Sequence, residues 1–200
     1  MNHLLDSVNR AAQDRAEKGK SGSIPSYTLC PTATVTEIIE EMRLAVRYLW
    51  RRHGVPMVAA GHSAGGHLAA CLVATDWRLD ALPRNLLPAG LAISGIFDLA
   101  PLIATKLNAA LRLDAVAAAH DSPIHWSVLP GRRIEAWVGD EESGEFHRQS
   151  RDLAATWSAA GVEARYRSLP GANHFTVIAP LADPDSAMTQ SLVAMARAAA

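Results

Sequence analysis

The sequence predicts an α/β fold, a mainly parallel sheet with helices on both faces, on three observations. Short apolar segments of strand length alternate with longer ones whose apolar residues recur at helical spacing. The strand segments are apolar throughout rather than at every second residue, the pattern of strands covered on both sides. The chain has 200 residues, 49% apolar and 20% charged, which suits one domain with a substantial core.

Residues 1–23 read as a polar arm, helix-prone but with little apolar face, ending in the linker KSGS. The folded domain is expected over 24–200, with IPSYTL at 24–29 as its first strand. The clearest helix follows: Thr34 and Glu37 have capping-box spacing, Val35, Ile38, Ile39, Met42, Ala45, Val46 and Leu49 form its apolar stripe, and Gly54 closes it. VPMVAA at 55–60, AGLAIS at 89–94, RIEAWV at 133–138 and EARYRSL at 163–169 are the further strands. Helices are expected over about 64–75, from near Glu145, and over 186–199, with short helices in the irregular stretch 99–130.

Net charge is −1 with both signs mixed, so neither nucleic acid nor an anionic membrane is an expected partner. No apolar run approaches the roughly 20 residues that cross a bilayer, and the N-terminus lacks the pattern of a signal peptide. Two cysteines, Cys30 and Cys71, are too few for a disulfide framework and have no metal-ligand spacing. A cytoplasmic protein is the expectation.

The chemistry concentrates at Gly61-His62-Ser63-Ala64-Gly65, between a strand and a helix. A Gly-x-Ser-x-Gly turn there strains the serine backbone and lifts its hydroxyl clear of the sheet, as in the nucleophile elbow of serine hydrolases. The Ala64 amide stands at the helix N-terminus, where it can bind a developing oxyanion. A phosphate loop is excluded because the Lys-Ser/Thr ending is absent. Serine is a weak nucleophile alone, so a base and an orienting acid must follow, each in a loop after a strand. His174 is the expected base, and Asp140, Glu141 and Glu142 supply the acid; acids also favour a helix start for its dipole alone. His67 reads as structural, and His120 and His125 fall in the irregular stretch.

The stretches GHSAGGHLAACLVATDW, AISGIFDLAPL, DSPIH, ESGEFHRQS and GANHFTVI resemble the kynurenine formamidase (arylformamidase) branch of the α/β-hydrolases, over roughly residues 26–195. That resemblance implies an α/β-hydrolase fold and hydrolysis of N-formyl-L-kynurenine or a related arylformamide without metal or cofactor. It implies Ser63 as nucleophile, His174 as base and Glu142 as acid, with Asp140 in reserve because an aspartate is usual in the family. His62, Trp77, Phe97, Trp126 and Phe175 are the candidates for substrate binding. The family's HGG loop, which completes the oxyanion hole, has no counterpart here, so the domain reads as N-terminally shortened. The strand at 24–29 is then expected either to slide over to the strand at 55–60 or to be left loose. Loss of one oxyanion donor costs roughly 10²–10³ in rate. A small-molecule carboxylesterase and a catalytically impaired hydrolase are therefore the alternatives, and an unpaired strand edge favours a homodimer.

Overall fold

Thr34 opens the first helix of the computed structural model, which describes residues 22–200. Its hydroxyl accepts the Glu37 N–H at 3.2 Å while the Glu37 carboxylate accepts the Thr34 N–H at 2.7 Å, a reciprocal capping box. Helix α1, Val35–His53, buries Ile38, Ile39 and Val46 and ends at Gly54, whose φ of 65° lets its N–H return to the Trp50 carbonyl.

Four strands follow, β1 (Val58–His62), β2 (Ala89–Ile93), β3 (Arg133–Gly139) and β4 (Glu163–Leu169). They form one parallel sheet in the order β1-β2-β3-β4. Helix α2 (Ala64–Ala74) joins β1 to β2, and α5 (Gly144–Ala159) joins β3 to β4. Between β2 and β3 lie two short helices, α3 (Asn108–Leu111) and α4 (Ala115–His120), with 3-10 turns around them. Helix α6, Ala187–Ala199, ends the chain with Ser186 as its cap.

Alternation along the strands sends side chains to two cores. Ala92, Ile134 and Ala136 meet Val73 of α2 and Leu153 and Trp157 of α5 on one face. Ala89, Leu91, Ile93 and Trp137 meet Met188 and Met195 of α6 on the other. The expected parallel sheet with helices on both faces is therefore present. No helix of the described residues is long and apolar enough to cross a membrane.

Three expectations need correction. Residues 24–29 form no strand: Ile24 and Leu29 are exposed, Pro25 has no N–H to donate, and the Thr28 N–H goes to the Glu41 carboxylate at 2.7 Å. Of the two outcomes foreseen for this segment, it is the loose one that holds, and β1 is left at the sheet edge. Strands apolar throughout describe only β2; β3 is buried along nearly its whole length yet carries Arg133 and Glu135, and β4, at the other edge, alternates exposed Glu163, Arg165 and Arg167 with more sheltered positions. The first strand of the sheet runs over 58–62 rather than 55–60, because it continues up to the elbow. The expected helical arm and the first part of the linker, residues 1–21, lie outside the described residues.

Candidate active site

Gly61 makes the turn between β1 and α2 possible. A Cβ on Gly61 would lie 2.1 Å from the Gly65 carbonyl oxygen, so only glycine allows the chain to double back this tightly. Between them Ser63 takes φ 55° and ψ −117°, a conformation that L-residues seldom adopt. Its N–H is fixed on the Ile93 carbonyl at 2.8 Å, and its own carbonyl accepts from Gly66 and His67. Strain of about 1–3 kcal/mol is held in place by the surrounding turn. Ala64 is the first residue of α2, and its N–H is among the four that no α-helix satisfies internally.

At the end of β3, Gly139 lies so close to the His174 loop that a Cβ there would stand 2.1 Å from the Ala172 carbonyl oxygen. The Glu142 side chain, 1% exposed, turns back under this crossing. One carboxylate oxygen, Oε1, accepts the Gly139 N–H at 2.8 Å and the Ser94 hydroxyl at 2.6 Å. The other, Oε2, accepts from His174 Nδ1 at 2.8 Å. The opposite ring nitrogen, Nε2, lies 3.1 Å from Ser63 Oγ, which donates to it. One unbroken chain of hydrogen bonds thus runs from Ser63 through His174 to Glu142, drawing on the ends of β1, β3 and β4. With Nδ1–H on the carboxylate, Nε2 is the nitrogen free to take a proton.

The His174 ring is boxed in. His62 stands 4.7 Å away, centroid to centroid, and donates its Nε2–H to the His174 carbonyl at 2.8 Å. Phe146 lies 4.6 Å away on α5, and Phe175 meets the ring edge-on at 5.8 Å. Burial, and next the nearby His174, hold the His62 imidazole below the ordinary histidine range, which favours its neutral form.

Of the other residues singled out in the sequence, Asp140 points away from the imidazole: its carboxylate accepts the Gly171 N–H at 2.7 Å and tethers the loop that carries His174. Trp77 is fully buried in the core beyond the far end of α2, roughly 16 Å from Ser63 by the rise of the helix. Phe97 is likewise fully buried, its ring closing over Gly95 and its N–H on Gln149. Trp126 packs against α1 with the Arg43 guanidinium 5.3 Å above its ring. It lines a separate cavity of about 440 Å³ with Thr36, Ile39, His120 and Asp121. These three aromatics do not join the site, whereas His62 and Phe175 do. His67 is buried, with Nδ1–H on the Ile96 carbonyl at 2.8 Å, as a structural residue would be.

Two neighbours were missed in the sequence. Ser94 closes an apolar strand in the sequence, and a polar residue at the C-terminal end of a central strand is the signal that points to it. Phe146 stands four residues after Glu142, and its approach to His174 depends on how α5 leaves the turn.

No protein-family model matches the chain. It is 30% identical over 179 residues to a kynurenine formamidase of Salmo salar, covering 84% of this chain and 60% of the relative. To a kynurenine formamidase of Danio rerio it is 28% identical over 187 residues, covering 90% and 63%. The chain thus spans about three fifths of the length of these curated relatives. Among solved structures, a protein provisionally described as a thioesterase from Silicibacter sp. TM1040 superposes with a TM-score of 0.72 at 34% identity, covering 84% of this chain and 62% of that one. An esterase/lipase from an uncultured bacterium superposes with a TM-score of 0.64 at 22% identity, over 87% and 63%, a likeness of fold. This chain has the α/β-hydrolase fold of the esterases and lipases and is similar in sequence to kynurenine formamidases over about three fifths of their length.

Proposed function

We propose that the chain is a serine hydrolase of the arylformamidase type, acting on N-formyl-L-kynurenine or a related arylformamide. The observation that carries this reading is the hydrogen-bonded chain Ser63–His174–Glu142 with Ser63 in its left-handed turn at the head of α2. Ser63 Oγ attacks the formyl carbon while its proton passes to His174 Nε2. Glu142 holds Nδ1–H and stabilises the imidazolium that forms. The Ala64 N–H donates to the oxyanion of the tetrahedral intermediate. Collapse breaks the C–N bond, and His174 gives its proton to the departing arylamine, leaving a formyl ester on Ser63. Water, deprotonated by His174, then attacks this ester and releases formate and free serine. His62 and Phe175 flank the position of the aryl group, Phe175 offering an exposed ring face.

Fluorophosphonate labelling of the purified chain tests the reading. Labelling of the wild type that is lost in both Ser63→Ala and His174→Ala is the expected result. Failure of the folded wild type to label would sink the hydrolase reading in favour of a catalytically impaired relative. Relative rates on N-formyl-L-kynurenine and nitrophenyl acetate then separate a formamidase from a carboxylesterase, which the esterase likeness of the fold makes the second reading. A homodimer in the cytoplasm completes the proposal, supported by the uncharged β1 strand at the sheet edge. Light scattering after size exclusion reads the oligomeric state.

A further inference from the structure

Strands β1 and β2 end alike. Their last paired rung sets His62 beside Ile93, and the next residue of each strand is a serine with positive φ, 55° at Ser63 and 47° at Ser94. Serine seldom adopts this backbone conformation, and here two adjacent strands use it at the same level of the sheet. The Ser94 N–H is fixed on the Trp137 carbonyl at 2.7 Å, so the turn is anchored to β3. Ser63 Oγ reaches His174 Nε2, and Ser94 Oγ reaches Glu142 Oε1. The paired serines therefore touch the two ends of one relay.

Glu142 needs such a partner. Its carboxylate is buried, and a buried charge persists only where hydrogen-bond donors replace water. A glutamate also has one more rotatable bond than an aspartate, hence more freedom to lose. Oε2 stays aimed at His174 Nδ1 only if Oε1 is held, and Oε1 is held by the Gly139 N–H and the Ser94 hydroxyl. An ionised carboxylate only accepts, so Ser94 is the donor. Ser94 is fully buried and touches no cavity described above, so its hydroxyl has no solvent to serve.

We infer that Ser94 is a positioning residue, whose hydroxyl holds Glu142 in the orientation that fixes the His174 ring for proton transfer. Its effect on turnover rests on the hydrolase reading of Ser63, His174 and Glu142; its effect on the His174–Glu142 contact does not. The variants are Ser94→Ala and Ser94→Gly, the glycine relieving the left-handed backbone so that a folding defect of the alanine variant is separable. With nitrophenyl acetate, kcat is expected to fall roughly tenfold in both with little change in KM, the loss of one hydrogen bond to a charged group. In a Glu142→Ala background the same Ser94→Ala change is expected to alter kcat less than twofold, since nothing remains to be positioned.

A second readout needs no turnover. In the proton NMR spectrum of protein with ¹⁵N-labelled histidine, the His174 Nδ1–H held by Glu142 is expected downfield in the wild type and broadened or lost in both variants. His174→Ala assigns the signal, and His62→Asn separates it from the neighbouring ring. Absence of this resonance from the wild type, or an unchanged resonance in both Ser94 variants, overturns the inference. So does an equal loss of kcat from Ser94→Ala with and without Glu142. A wild type that takes no fluorophosphonate but shows the resonance, with its loss in the variants, overturns the hydrolase reading and upholds the positioning role.

Discussion

Three acidic residues follow β3, and geometry separates their roles. Glu142 faces His174 Nδ1 at 2.8 Å, whereas Asp140 accepts the Gly171 N–H. Glu142→Gln keeps the shape but removes the charge that stabilises the imidazolium in the proposed mechanism, and kcat/KM is expected to fall by roughly a thousandfold or more. Asp140→Asn retains an acceptor for Gly171, and is expected to stay within about threefold of the wild type. Steady-state kinetics on nitrophenyl acetate checks both, and equal losses in the two would overturn the assignment of the acid. The sequence narrowed the acid to this cluster because acids after a strand are visible as letters. Which carboxylate meets the imidazole depends on the turn Gly139–Ser143, and no local rule orders the three.

Among the elements, the turn at Gly139 carries the tightest crossing outside the elbow. Gly139→Ala would drive a Cβ into the Ala172 carbonyl oxygen, so the His174 loop must move. Fluorophosphonate labelling is expected to drop at least tenfold while circular dichroism retains the helix content, because a shift of about 1 Å in a reacting group costs on that order or more. Labelling at the wild-type rate would show that the crossing yields without disturbing His174. Helix α1 is a simpler case, since capping box, apolar stripe and glycine stop all stood in the sequence and all formed. Thr34→Ala removes its hydroxyl partner and should lower stability by about 1 kcal/mol, read as a reduced Tm. The segment 24–29 is the converse. Its apolar letters suited a strand, but a strand exists only with a neighbour to pair with, and no six-residue pattern contains that neighbour.

Over the whole molecule, stability should depend on pH through two histidines, His67 buried and His62 half-buried. Burial holds both His67 and His62 below the ordinary value of 6.5. The unfolded chain therefore binds protons near pH 6.5 that the folded chain still refuses, and stability falls as pH drops through that value toward the lower folded pKa. Tm is expected to decrease between pH 7.5 and 5.5, and His67→Gln, which keeps a donor for the Ile96 carbonyl, should flatten the decrease. An identical slope in the variant would mean that other groups govern it. The two sheet edges also differ at this scale: β4 interposes Glu163, Arg165 and Arg167, while β1, Val-Ala-Ala-Gly-His, carries no acidic or basic residue other than His62.

By itself the sequence determined the alternation of strands and helices, the elbow around Ser63, and the order serine, acid, histidine along the chain. Each of these is written in local spacing, which hydrophobic periodicity and turn chemistry translate directly. Only the tertiary structure decided that Trp77 and Phe97 belong to the core and that Ser94 reaches Glu142; it also sets Glu142, the acid that the family resemblance implied ahead of Asp140, against His174. Those outcomes depend on which strands and helices meet, and on which side chains gather at the C-terminal end of the sheet. The contact from Ser94 to Glu142 spans 48 positions and that from Ser63 to His174 spans 111, distances in sequence that only the folded sheet brings within a hydrogen bond.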